Sequence, residues 1–359
     1  MNNRKDFKTE FAKLIRKIKY LHKNSTTTEQ YIIRRLKNQR DELISCINEF
    51  DDVVFCAIGN SKFGIKTNIR HIYELAFDCI EMYFHGRFDK SREIIYNAFF
   101  NRSNRNRILL RYDDISSGTL FFRMRSNETY DLYSPLEMFH IPFEKRTLTA
   151  NQRYSISGYP CLYLGNSVYG CWEELNRPDI NMCNIVALDN VDKLTVVDLS
   201  LGNMHSGRFA EEDIYNMTLS LICSLKVNDR DSPFKPEYII PQTLLSCMIS
   251  RNDNFNQIYC DGIKYTSSFY GGERNLFNNI GLFDNYVIPI KRSSEKGHCT
   301  ELSNIFAISA TVSIATNKIL NPYVNNYAGF SGPYSYNLSD FGLIEQQLLH
   351  SKRILVSEL

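Results

Sequence analysis

The fold class read from the sequence is α+β, with an all-α N-terminal domain followed by a domain built on a mixed sheet. Two observations predict it. Over residues 5–101, apolar side chains recur every three to four positions, the period of an amphipathic helix. From residue 108 onward that period gives way to short β-branched and aromatic runs bounded by Gly, Asn, Asp and Pro, the pattern of strands. A length of 359 residues is enough for two domains, and 43% hydrophobic residues without a low-complexity tract supply a core.

The helices come first. Residues 5–23 place Phe7, Phe11, Leu14, Ile15, Ile18 and Leu21 on one stripe, opposite a strongly basic face. Such a face can meet nucleic acid, a membrane or a partner, but more often it is the solvated side of a helix docked through its stripe. Thr26 and Glu29 have capping-box spacing and open a helix over 28–49. Asp51 and Asp52 end it, VVFCAIG is a short apolar run, and NSKFG reads as a loop. Two more helices follow over 67–85 and 89–101. The polar tract NRSNRNR at 101–107 has no apolar period and marks a boundary.

The strands are ILLRYDD, TLFFRMR, CLYLGN, NIVALDN, LTVVDLS and NYVIPIK, with helices intervening at 167–176, 211–226 and 240–251. Residues 300–316 fit either a helix or paired strands. The tract 321–342, rich in Tyr, Asn, Gly and Pro, reads as ordered loop, and a last helix runs over 343–352. The expected domains are 1–105, helical; 106–300, the sheet domain; and 301–359, a C-terminal extension packed on it.

Composition excludes several functions. A net charge of +2 gives no polyanion-binding signature, which disfavours nucleic acid as the main partner. The 22 Tyr and 23 Phe serve mostly as core, with a few able to stack on a planar ligand. None of the ten cysteines forms a C-x-x-C pair, which argues against a zinc ribbon, and no metal is expected. The charged N-terminus lacks an apolar signal region, and no apolar run reaches the length of a membrane span. The expectation is a cytoplasmic protein with reduced, mostly buried thiols and no membrane partner. No Gly-x-Gly-x-x-Gly or Walker sequence is present, which disfavours a Rossmann dehydrogenase or a P-loop nucleotidase.

Three stretches carry candidate chemistry. TLFFRMR delivers Arg123 from a strand, with Arg125 two residues on. NQRYSISGYPCLYLGNSVYGCWEEL holds Arg153–Tyr154, a Gly-Tyr-Pro turn, Tyr163 in an apolar strand and the carboxylates Glu173 and Glu174. YCDGIKYTSSF holds Ser267. Each residue alone has an ordinary explanation: an ion-paired arginine on a strand, a solvated glutamate on a helix, a tyrosine in a core, a serine in a loop. Their joint occurrence, in this order, points to a site.

That ordered set resembles the RES family, named for an arginine, a glutamate and a serine. The match spans roughly residues 110–290. The spacing from Tyr163 assigns the family glutamate to Glu174 rather than Glu173, and the third motif points to Ser267, with Ser268 adjacent as an alternative. Ninety-two residues separate Glu174 from Ser267, more than in compact members of the family. The last 60 residues have no counterpart.

The resemblance implies an ADP-ribosyltransferase-like catalytic domain that consumes NAD+ as substrate, releasing nicotinamide by hydrolysis or by phosphorolysis with inorganic phosphate as co-substrate. Glu174 would stabilise the oxocarbenium charge that builds on the ribose and hydrogen-bond its hydroxyl. Arg123 and Arg153 suit bidentate contact with the pyrophosphate. Tyr154 or Tyr163 would stack on a ring or donate a hydroxyl, and Ser267 would position by hydrogen bonding. His140 and His205 lie outside the matched motifs. The resemblance further implies a toxin or antiphage immune effector, an antitoxin or regulatory partner, a homodimer, and a helical N-terminal domain that serves regulation or assembly. Two other readings stand beside it: a mono-ADP-ribosyltransferase acting on a macromolecule, and a non-enzymatic binding module using the basic helix 5–23. Arg16 and His22 in that helix also fit the Arg-x4–6-His spacing of HEPN ribonucleases, a spacing that arises often by chance in basic helices.

Overall fold

In a computed structural model of the chain, the described residues are 29–56, 59–129, 131–201, 211–250, 260–267, 280–313, 315, 336–337 and 339–359. The basic helix expected over 5–23, with Arg16 and His22, lies outside them, as do His205 and Ser268. The helices are α1 (Glu29–Asn48), α2 (Asp52–Cys56), α3 (Lys62–Phe84), α4 (Phe88–Ile95), α5 (Val168–Glu174), α6 (Glu211–Cys223), α7 (Ile239–Ile249), α8 (Thr300–Ile305) and α9 (Asp340–Leu349). The strands are β1 (Tyr112–Ile115), β2 (Leu120–Ser126), β3 (Cys161–Gly165), β4 (Cys183–Asn190), β5 (Leu194–Leu199), β6 (Gly262–Thr266), β7 (Asp284–Pro289), β8 (Phe306–Ser309), β9 (Val312–Ser313) and β10 (Arg353–Leu355). The α+β class read from the sequence is the observed one.

The chain divides into two units. The first holds the described residues up to Tyr112 together with Asn151–Ile156 and Val197–Cys260; the second holds Asp113–Ala150, Ser157–Val196 and Asp261–Leu359. This division cuts the chain differently from the boundaries 105 and 300. The long stretch between Glu174 and Ser267 contains α6 and α7, which fold in the first unit.

The first unit is helical because its helices bury period-matched stripes. α1 buries Ile32, Leu36, Gln39, Leu43 and Ile47, and α3 buries Ile65, Ile69, Ile72, Tyr73, Ala76 and Ile80. Gln39 is the polar exception. It accepts a hydrogen bond from the Tyr73 hydroxyl at 2.9 Å and donates to the Leu221 carbonyl at 3.1 Å, so its burial leaves no orphan. α3 begins five residues before the expected start because Ser61 caps it, its hydroxyl accepting from the Gly64 N–H at 3.0 Å. The apolar run VVFCAIG contributes a short helix, α2.

The second unit is organised on a sheet of order β1-β5-β6-β7-β3-β2-β4-β8-β10, with β9 added beside β4. β4 is buried along nearly its whole length because it sits between β2 and β8. Side-chain alternation sends Phe121, Leu162, Leu164, Val186 and Tyr286 into one core and Phe122, Met124, Ile185 and Ala187 into another on the opposite face. α5 and α9 cover that second face through Val168, Cys171, Phe341, Ile344 and Leu348. Each fully buried aromatic or aliphatic chain here is worth about 1.5–3 kcal/mol.

Residues 300–316, open to either helix or paired strands on sequence, contain both: α8, then β8 and β9. Their continuation is no appendage, since β8 and β10 complete the sheet edge beyond β4. Of the tract 321–342 expected as loop, most lies outside the described residues. Its end opens α9, whose first turn is capped by Ser339 accepting from Gly342 at 3.2 Å.

Candidate active site

The middle of the sheet has a seam between β2 and β3. β2 pairs with β4 over seven positions and β3 with β7 over five, but β2 and β3 share a single pair, Phe122 with Gly165. Arg123 is the next residue on β2. Its Nη1 crosses the seam to the Tyr163 carbonyl at 2.9 Å. The side chain is partly exposed, yet protein surrounds the guanidinium closely. Burial, reinforced by the nearby positive charge of Arg125, pulls its pKa down to about 10. Among the described residues the buried Nε finds no hydrogen-bond partner. A desolvated cation is costly to hold, and such groups are enriched at functional sites.

Glu174 comes from α5, the short helix that follows β3. Ser167 caps this helix through the Gly170 N–H at 2.8 Å, and its own hydroxyl donates to the Leu282 carbonyl. Gly170 has to be glycine, since a Cβ there would sit 2.5 Å from the Leu282 carbonyl oxygen. The two carboxylates at the end of α5 are divided in role. Glu173 is buried and held by Arg177, with N···O distances of 3.0 and 2.9 Å, while Arg177 lies 5.7 Å from the centre of the Trp172 ring. Glu174 instead turns to the sheet, where Asn285 of β7 donates its Nδ2 to Glu174 Oε1 at 2.9 Å. The helix can approach so closely because residue 165 is glycine. A Cβ there would lie 2.7 Å from Cys171 Sγ and 3.1 Å from Asn285 Oδ1.

Strand β7 gathers the remaining residues. Gly165, Asn285 and Tyr265 are register partners across β3, β7 and β6, and two residues away Tyr163, Val287 and Ile263 form the next row. Tyr163 and Tyr265 therefore share the sheet face of Asn285. Burial holds the Tyr163 hydroxyl well above its ordinary pKa, so it stays protonated as a donor. Ser267 follows β6 directly and is fully buried, and its N–H donates to the Phe283 carbonyl at 2.9 Å. The Asp-Gly pair ahead of it is structural. Asp261 accepts from Lys291 at 2.8 Å and from the Thr195 N–H at 2.9 Å, and a Cβ on Gly262 would meet the Val287 carbonyl at 2.4 Å.

Three of the six residues named on sequence grounds thus attach to the β3-β7-β6 strands: Tyr163, Glu174 and Ser267. Arg123 reaches β3 from β2, where it pairs with Val186 and so lies on the sheet face opposite that of Asn285. Arg153 and Tyr154 belong to the first unit. Arg153 Nη1 donates to the Cys223 carbonyl at 2.6 Å and the Leu225 carbonyl at 3.0 Å, capping the C-terminus of α6 with a positive charge, and its guanidinium lies 5.0 Å from the Tyr238 ring centre. Tyr154 is buried and hydrogen-bonded with the Cys223 thiol.

His140, set aside on sequence grounds, is a core group. Its Nε2 accepts from the Cys299 N–H at 2.9 Å and its Nδ1 lies 2.8 Å from the Ile141 carbonyl, which fixes the neutral tautomer with the proton on Nδ1. Burial accordingly lowers its pKa to about 4. All ten cysteines are free, and burial pushes Cys79 up to about 11 and Cys161, Cys171, Cys183, Cys223 and Cys247 up to about 12, so these six stay protonated thiols at neutral pH. Among the described residues no three His, Cys, Asp or Glu side chains gather as a metal site, and no helix is long and apolar enough to cross a membrane.

Sequence reasoning missed Asn285. It opens NYVIPIK, which reads simply as a strand. The available signal is an amide at a position buried on both sides, since a buried amide needs partners and its partners are informative. No family model and no solved structure matches the chain. Among curated proteins it is 32% identical over 328 residues, 82% of this chain and 71% of the relative, to a Bacillus subtilis (strain 168) protein described as "Putative toxin YopC".

Proposed function

The chain belongs to the YopC family, and we propose that it is a cytoplasmic toxin of the RES type that cleaves the nicotinamide–ribose bond of NAD+. The toxin part of this reading draws on the relative's name. The chemical part draws on the three RES-like motifs and on one geometric observation: residues taken from separate motifs attach to the same three strands beside a seam in the sheet. Arg123 bonds the β3 carbonyl of Tyr163, Glu174 bonds Asn285 of β7, and Ser267, which directly follows β6, donates its backbone N–H to the Phe283 carbonyl just ahead of β7.

The chemistry asks for little more than these groups. Nicotinamide leaves as a neutral molecule from a cationic ring, so no strong general acid is required. As the bond breaks, positive charge builds on the ribose, and an ionised Glu174 stabilises it and accepts a hydrogen bond from a ribose hydroxyl. Arg123, whose Nε–H finds no partner among the described residues, supplies charge-assisted hydrogen bonds to a phosphate of the substrate. In the phosphorolytic variant it would hold the attacking phosphate instead. Tyr163 flanks a ring or donates its hydroxyl, and Ser267 positions by hydrogen bonding. An antitoxin or regulatory partner accompanies this reading, as does a homodimer.

The test is direct. Arg123→Ala and Glu174→Ala should each abolish nicotinamide release by the purified protein and growth arrest on expression. Turnover retained in both variants would remove the site assignment.

A further inference from the structure

We infer that Asn285 is a positioning residue for Glu174, an inference that rests on the reading of Glu174 as the carboxylate beneath the reacting sugar. The geometry is specific. Asn285 is 4% exposed, sits at the centre of the paired row Gly165–Asn285–Tyr265, and donates from Nδ2 to Glu174 Oε1 at 2.9 Å. A carboxylate can only accept, so the amide orientation follows from chemistry. A buried strand holds its side chains far more rigidly than the end of a seven-residue helix does. Tying Oε1 to β7 fixes the rotation of the carboxyl group about its own axis. That rotation decides whether a lone pair of the carboxylate meets the ribose.

The neighbouring choices agree with this role. Glycine at 165 leaves room for the Asn285 amide and for Cys171, both of which a Cβ would crowd. Glu173, one residue earlier, is withdrawn to Arg177 and does not compete for the amide. The neutral donor also matters electrically. A lysine or arginine in place of Asn285 would neutralise the charge that Glu174 is required to present to an oxocarbenium ion. An amide orients the carboxylate and leaves that charge in place.

Two substitutions separate positioning from mere packing. Asn285→Ala removes the donor, and kcat/KM for nicotinamide release should fall roughly tenfold to a hundredfold, carried by kcat, with KM for NAD+ little changed. Asn285→Asp is nearly isosteric but places a second carboxyl beside Glu174, where the pair shares a proton. Its acid limb in the pH profile of kcat/KM should move upward by about one unit or more, with activity partly recovering at alkaline pH. Circular dichroism and thermal melting confirm that each variant is folded. Should Glu174→Ala be inactive while Asn285→Ala matches the wild type and Asn285→Asp keeps the wild-type pH profile, the positioning role is overturned and the site reading stands. Should Glu174→Ala itself turn over NAD+, it is the site reading that fails.

Discussion

Arg123 gives the sharpest quantitative prediction, because its charge is held at a cost. Burial lowers its pKa from the ordinary guanidinium value to about 10. At about 1.4 kcal/mol per pH unit, the folded state disfavours the charged guanidinium by about 3 kcal/mol relative to the unfolded chain. The sign follows from the direction. A base whose folded pKa is depressed carries its full penalty at every pH below the folded value, so all of it is present at pH 7, and it fades only above pH 10. Replacing Arg123 by Met keeps the stem and removes the charge. The replacement also loses the hydrogen bond to the Tyr163 carbonyl, worth about 1–2 kcal/mol once the acceptor is left unpaired. The net expectation for Arg123→Met is a gain of about 1–2 kcal/mol, which raises Tm by roughly 2–8 °C for a domain of this size, together with loss of nicotinamide release. Scanning calorimetry at pH 7 measures the first and chromatography the second. Stability traded for function in this way is common at binding sites. A Tm lowered by several degrees would refute the reasoning, for it would mean that the guanidinium is a net structural support.

Two further predictions concern α5. Glu345 of α9 accepts from the Val168 N–H at 2.6 Å and from the Tyr336 hydroxyl, and burial raises its pKa from 4.5 to about 7. An acid with a raised folded pKa favours the fold below its unfolded value and loses that contribution as pH rises through the folded value. The wild type should therefore lose up to about 3 kcal/mol from this group between pH 4.5 and 7. Glu345→Gln, which keeps the acceptor, should be more stable than the wild type at pH 8 and similar at pH 4.5; denaturant midpoints that move in parallel at both pH values would contradict this. The two carboxylates ending α5 should separate by phenotype. Glu173→Gln should cost about 1 kcal/mol through its partly solvated Arg177 pair and keep nicotinamide release, while Glu174→Gln should keep its Tm and lose release, as paired melts and activity assays would show.

Much of the frame is legible in the sequence because periodicity reports it directly. The stripes of α1 and α3 and the strands TLFFRMR, CLYLG and NIVALDN are found where their apolar spacing places them. The same spacing states that a helix is buried but not against what. Hence α6 and α7 read as helices of the sheet domain, although they fold in the unit of the N-terminal helices. Arg153 illustrates the limit at the level of one residue. The motif Arg-Tyr suggests anion binding, while the acceptors it meets are carbonyls at the end of α6, which no local pattern reveals. Motif spacing alone separates Glu174 from Glu173, and the ion pair that holds Glu173 to Arg177 has no signal in the sequence. Asn285 lay hidden because a strand pattern averages over its members, and one buried amide does not change the period. β10, three residues long, is too short to register in any window.

The most direct measurement incubates the purified protein with NAD+, with and without inorganic phosphate, and follows nicotinamide by chromatography. Release is expected, with ADP-ribose as co-product if water is the acceptor and ADP-ribose 1-phosphate if phosphate is. Label from NAD+ appearing on a macromolecule without free ADP-ribose would replace glycohydrolysis with transfer. No nicotinamide released, with NAD+ intact in the presence of cell extract as well, would contradict the account.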